Sequence, residues 1–215
     1  MKIQSPWMGR IKGSAGQMTG CKVYDKNVMR AKAFEVSNPN TAAQQNQRTF
    51  FAELTALCSD FSNEQLRTLF PQKPKSMSRR NAISKQIAAS YTTSNGQKVI
   101  DYADIDTLGN ASVMDFGTTG CVNTAGTIAI DLDDSVVGNT TVSNNYFFVA
   151  IVNDTKKEIY IPSQFVKVSS NNLSISAPSG WQTTDTIHAI PFITSATSAP
   201  TGFGTMAVTK RPAHN

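Results

Sequence analysis

Asn38–Phe61, NPNTAAQQNQRTFFAELTALCSDF, is the stretch that decides how the chain is read. Pro39 fixes its own φ and biases Asn38 away from helical geometry. Asn40 or Thr41 then caps a helix, and Thr41 with Gln44 three residues on fits the capping box. Ala43, Phe50, Leu54, Leu57, Cys58 and Phe61 recur at helical spacing and predict one apolar face. Gln44, Gln45, Gln47 and Arg48 crowd the first turns. Two readings of that polar cluster stand: a solvated helix face, or a contact surface that uses the paired hydrogen bonds of Gln and Arg.

On the N-terminal side, residues 1–37 form a first segment. Gly9, Gly13, Gly16 and Gly20 punctuate Met1–Gly20, which lacks both the GxGxxG spacing and a terminal GK[ST], so it is not a phosphate loop. The expectation is an extended arm with turns, either folded onto its own domain or anchored on a neighbouring subunit by Trp7. Cys21–Val36 predicts a β-ribbon turning at Asp25-Lys26-Asn27, with Val28, Met29 and Arg30 after the turn. Lys22, Lys26, Arg30 and Lys32 make the ribbon basic.

On the C-terminal side, residues 38–92 read as helical. Ser62 with Gln65 repeats the capping box, Pro71 stops a short helix, and Ser76 or Ser78 opens a third with Ile83, Ile87 and Tyr91 on one face. Lys73, Lys75, Arg79, Arg80 and Lys85 form the most basic patch. Cations at a helix start oppose the macrodipole by about 0.3–1 kcal/mol each, which hints at a use such as an acidic partner or nucleic acid. No interleaved aromatics accompany them.

From Ser94-Asn95-Gly96 onward the texture becomes β. Strands are expected at 98–102, 111–116, 126–132, 146–153, 157–161, 173–177, 186–190 and 206–209, with a hairpin turn at 153–156. Short strands with polar turns over 93–215 suggest an immunoglobulin-like or fibronectin-like sandwich with Trp181 at a corner. The fold class is therefore α+β: arm and ribbon, helical middle, C-terminal β-sandwich.

The chain has 215 residues, a net charge of +5 and three cysteines. That length suits one large domain or two small ones. Cys21, Cys58 and Cys121 form no CxxC pair, so buried free thiols are expected rather than disulfides or a metal site. Asp101, Asp104 and Asp106, and Asp131, Asp133 and Asp134, read as turn residues; the second cluster lacks the EF-hand glycine and glutamate. His188 and His214 are isolated, and no nucleophile motif occurs. No cofactor, metal or enzymatic activity is expected. Met1–Gly20 shows no secretory h-region, and no run approaches a membrane span.

The order of features resembles a family of uncharacterised proteins encoded by Bacteroidota and by their phages. The carrying residues are Gly13, Gly16, Arg30, then N-P-x-T-x-A-Q-Q-x-x-R-x-x-F in Asn38, Pro39, Thr41, Ala43, Gln44, Gln45, Arg48 and Phe51. Gly180, Trp181, Asp185 and His188, running into Phe192, complete the match. Family members usually carry Trp-Lys-Gly in the ribbon, where this chain has Tyr24-Asp25-Lys26. The resemblance carries no enzymatic activity. Its phage members imply a virion component made in the host cytoplasm, whose partners are further copies of itself and other virion proteins. It would sit in a ring, a collar, a head-to-tail junction or a decoration. Trp7, Arg30, Asn38, Gln44, Gln45 and Arg48 are the candidate subunit contacts. A glycan- or host-binding module using aromatic loops (Trp181, Tyr146, Phe203) ranks second, and a nucleic-acid-associated protein using Lys73–Lys85 third.

Overall fold

The computed structural model describes residues 13–23, 26–32, 40–116, 120–124 and 126–212. Trp7 and Asn38 lie outside them. The chain divides into two compact units, Met1–Thr41 and Ala42–Asn215.

In the first unit the glycine-rich stretch supplies a strand as well as turns. Strands β1 (Gly13–Ala15), β2 (Met18–Val23) and β3 (Lys26–Ala31) form an antiparallel sheet in that order. Gly16, at φ +54°, turns β1 into β2. The expected turn at 25–27 is displaced. Val23 pairs with Lys26 and Lys22 with Asn27, so only two residues separate the strands. A two-residue connection matches strand twist better than a three-residue one.

The second unit opens with helix α1 (Ala42–Ser59), which buries Phe50, Leu54, Leu57 and Cys58. Ala43, expected on that face, is exposed. Ser62 caps α2 (Asn63–Leu69) with both halves of a capping box: Gln65 N–H donates to Ser62 Oγ at 3.1 Å, and Ser62 N–H to Gln65 Oε1 at 2.8 Å. Of the two candidate serines, Ser78 caps α3 (Arg79–Ile87), accepting from Asn81 N–H at 3.1 Å. That helix ends before Tyr91, which instead starts strand β4 (Tyr91–Ser94), paired with β5 (Gln97–Ile100). The connecting Asn95 and Gly96 sit at φ +51° and +74°, the left-handed pair of a tight hairpin turn.

The remaining strands are β6 (Ser112–Met114), β7 (Gly120–Thr124) and β8 (Thr127–Asp131). The short helix α4 (Asp134–Val137) follows, then β9 (Tyr146–Asn153), β10 (Glu158–Tyr160), β11 (Val166–Lys167), β12 (Asn172–Ser176), β13 (Ile187–Thr194) and β14 (Val208–Pro212). The main sheet runs β10-β9-β13-β14-β6, with β11 also on β9; a smaller sheet runs β12-β8-β7. The β6–β14 pair is parallel and joins Val113 to Arg211.

The pairings do not confirm an immunoglobulin-like or fibronectin-like sandwich, although the mixed α+β composition stands. Strand β9, YFFVAIVN, is buried from Phe147 to Asn153 without alternation. Its even-numbered side chains Phe148, Ala150 and Val152 join one core with Leu54, Leu57, Leu69, Ile83 and Ile87 of the helices. Its odd-numbered side chains Phe147, Val149 and Ile151 join a second core with Ile128, Ile130, Leu173 and Ile175 of the small sheet. A strand covered on both faces reads as a continuous apolar run. The helical and β-rich stretches thus share one body. Trp181 is buried in the second core, and its indole N–H donates to Glu158 Oε2 at 2.8 Å. Among the described residues no helix is long and apolar enough to cross a membrane.

Candidate functional site

The side of α1 turned away from the core is the most unusual surface built by the decisive stretch. Phe51 stands on it at 53% exposure, beside the buried Phe50 with which its ring makes an edge contact at 5.9 Å. Gln44, Gln47, Arg48, Phe51, Ala52 and Thr55 line a shallow hollow of about 660 Å³ there. Two threonine hydroxyls on this helix turn inward. Thr49 Oγ1 donates to Gln45 O at 3.1 Å and Thr55 Oγ1 to Phe51 O at 2.7 Å. Back-bonding of this kind satisfies the hydroxyl locally and leaves the threonine methyl to the surface. The result is an apolar strip bordered by an amide and a guanidinium. Gln45 and Arg48 are exposed and Gln44 half-exposed. Arg30 is exposed on β3, opposite Thr19.

Helical periodicity marks the buried side of α1 but leaves Phe51 unassigned, since Phe50 already fills the core position. The missed signal is the doublet itself: adjacent helix residues point about 100° apart, so both cannot enter one core.

The basic patch is divided by the structure. Arg80 donates from Nη1 to Cys58 O and from Nη2 to Phe61 O at 3.1 Å, which closes the end of α1. Arg79 donates to Phe70 O at 2.6 Å and Pro71 O at 3.1 Å, closing the end of α2. Carbonyls at helix ends lack intrahelical partners, and these two arginines supply them. Their place at the start of α3 therefore has a structural reason that the macrodipole argument does not reach. Lys73, Lys75 and Lys85 are exposed.

A second hollow, of about 450 Å³, brings Asp104, Asp106 and Asp115 together with Cys121 and His188. Burial holds the His188 imidazole below its ordinary pKa, although a backbone hydrogen bond with Ile105 and the charges of Asp154, Asp106 and Asp101 push the other way. Burial also pushes the Cys121 thiol up to about 11, so it is not a thiolate at neutral pH. Among the described residues no group of three or more His, Cys, Asp or Glu is placed to hold a metal. Asp133 caps α4 through Ser135 N–H at 2.8 Å. All three cysteines are free thiols; Cys58 is buried and the other two are partly so.

The late residues of the resemblance have structural places. Asp185 Oδ2 accepts from Asn153 Nδ2 and from Gln182 N–H, each at 3.0 Å, and these bonds hold its carboxyl below the usual range, the Gln182 bond most strongly. The proposed recognition aromatics Trp181 and Phe203 are buried at 7% and 8% exposure, and Tyr146 is half-buried.

Comparison with curated proteins and with solved structures brings up no match in either. A protein-family model does match, over residues 10–200, and that span includes the ribbon, the helices and most of the main sheet. The chain therefore belongs to the family of unknown function DUF6266.

Proposed function

We propose that this protein is a non-enzymatic structural subunit of a phage virion, assembling with copies of itself and with other virion proteins through its N-terminal unit and the outer side of α1. The observation that carries this reading is Phe51, half in solvent at the centre of a strip flanked by Gln47 and Arg48. Full burial of a Phe side chain contributes about 1.5–3 kcal/mol, and a ring of identical subunits repeats the gain at every interface. Gln and Arg around such an anchor suit the polar border of an interface. The small sheet β12-β8-β7, packed on the odd-numbered face of β9, supports a sandwich-like body behind that contact.

Light scattering on the full chain tests the reading. The wild type is expected to form a defined oligomer. Phe51→Ser, and separately Gln45→Ala with Arg48→Ala, are expected to lower the mass toward the monomer with unchanged circular dichroism. A wild type that stays monomeric at high concentration, or variants that assemble normally, would remove α1 as the self-contact.

A further inference from the structure

Strand β6 ends the main sheet: it pairs with β14 and, among the described residues, with no other strand. Beside it runs an apolar groove of about 620 Å³, whose walls include Phe70, Met77, Ala82 and Val113. Val113 is 52% exposed although it sits in a strand. The groove is held open by its own frame. Gln86 on α3 donates to Gly109 O at 2.7 Å and accepts from Gly109 N–H at 2.8 Å, fixing the helix against the loop that leads into β6.

The charge around this groove has one sign. Lys85 and Arg211 stand on it, and no Asp or Glu among the described residues lines it. Lys85 is exposed and has no ion-pair or hydrogen-bond partner among the described residues. Arg211 is oriented by bonds from Nε to Ala111 O at 3.2 Å and from Nη1 to Pro212 O at 3.1 Å.

We propose that the β6 edge and this groove take up an extended, acidic segment of another protein, which adds as a strand. An apolar side chain of the partner packs beside Val113, and its carboxylates meet Lys85 and Arg211. A sheet edge supplies main-chain hydrogen bonds and an adjoining pocket supplies selectivity. The sign of the charge decides the occupant. Residues 1–12 of this chain carry Lys2, Arg10 and Lys12 and no carboxylate, so they lack the charge that complements Lys85 and Arg211. Two copies meeting edge to edge would place like charges together, which works against self-pairing.

The test uses the full chain and a displayed library of random heptapeptides, followed by affinity measurement on the selected peptides. Enriched sequences are expected to combine Asp or Glu with a large apolar residue. Lys85→Glu is expected to weaken them about tenfold or more, the scale of one charge-assisted contact, and Val113→Arg to abolish binding. Both positions are exposed, and melting curves check that each variant folds. If Val113→Arg melts early, Lys85→Glu alone decides. Enrichment of lysine- or arginine-rich peptides would overturn the proposal. So would no enrichment, or acidic peptides whose affinity ignores Lys85→Glu. None of these outcomes bears on whether the chain assembles through α1.

Discussion

Arg80 links three elements through two carbonyls, Cys58 O at the end of α1 and Phe61 O before α2, while itself belonging to α3. Removing it leaves both acceptors partly buried without a partner. Hydrogen bonds to charged groups contribute about 1.5–3 kcal/mol, so Arg80→Ala is expected to cost about 2–3 kcal/mol in denaturant unfolding. Arg80→Lys should recover only part of this, because an ammonium cannot span two carbonyls as a fork does. An unchanged midpoint for the alanine variant would show that water replaces the guanidinium. His188 gives a different signature. Its pKa is depressed in the folded state, so below its unfolded value the unfolded chain binds more protons. The stability attached to it is complete above pH 6.5, the ordinary value for the side chain, and declines as pH falls toward the folded value. Urea midpoints should therefore drop between pH 7 and 5, and His188→Leu should flatten that slope; equal slopes would exclude the histidine as the cause.

Among the elements, α2 and α3 were legible because their caps are local chemistry. Ser62, Gln65 and Ser78 act within four residues of themselves, and sequence spacing carries all of that information. The limits of α3 were less so: Tyr91 continues the four-residue spacing of Ile83 and Ile87, yet it belongs to β4, since the pairing with Ile100 outweighs periodicity. Gly109 shows what local pattern omits. It sits at φ +87°, and a Cβ there would lie 2.9 Å from Leu69 O, on a loop clamped by Gln86. Gly109→Ala is expected to cost about 1–3 kcal/mol from left-handed strain, and more if the clamp opens; thermal melts measure it. Nothing within the loop's own sequence announces this, because the obstructing carbonyl comes from forty residues earlier. The arginine caps were hidden for the same reason, and so was the outer side of α1, which only the buried partner of each phenylalanine identifies.

At the scale of the whole molecule, the apolar run of β9 predicted a buried strand but not what covers it. A two-layer sandwich needs apolar side chains on the inner face alone, whereas the unbroken run from Phe147 to Val152 asks for cover on both faces. The difference lies in which elements supply the second cover, and α1–α3 do so through Leu54, Leu57, Leu69 and Ile83. The parallel join of β6 to β14 has a further consequence for timing. Ser112 Oγ donates to Thr209 O across 97 residues of chain, and contacts so distant in sequence form late. During synthesis, β6 waits for residues 208–212, which supply its strand partner among the described residues. Arg211, one wall of the groove, is therefore missing from nascent chains and from chains truncated before β14. An acidic segment recognised there, as proposed, would find its full site only on a chain whose synthesis has passed β14.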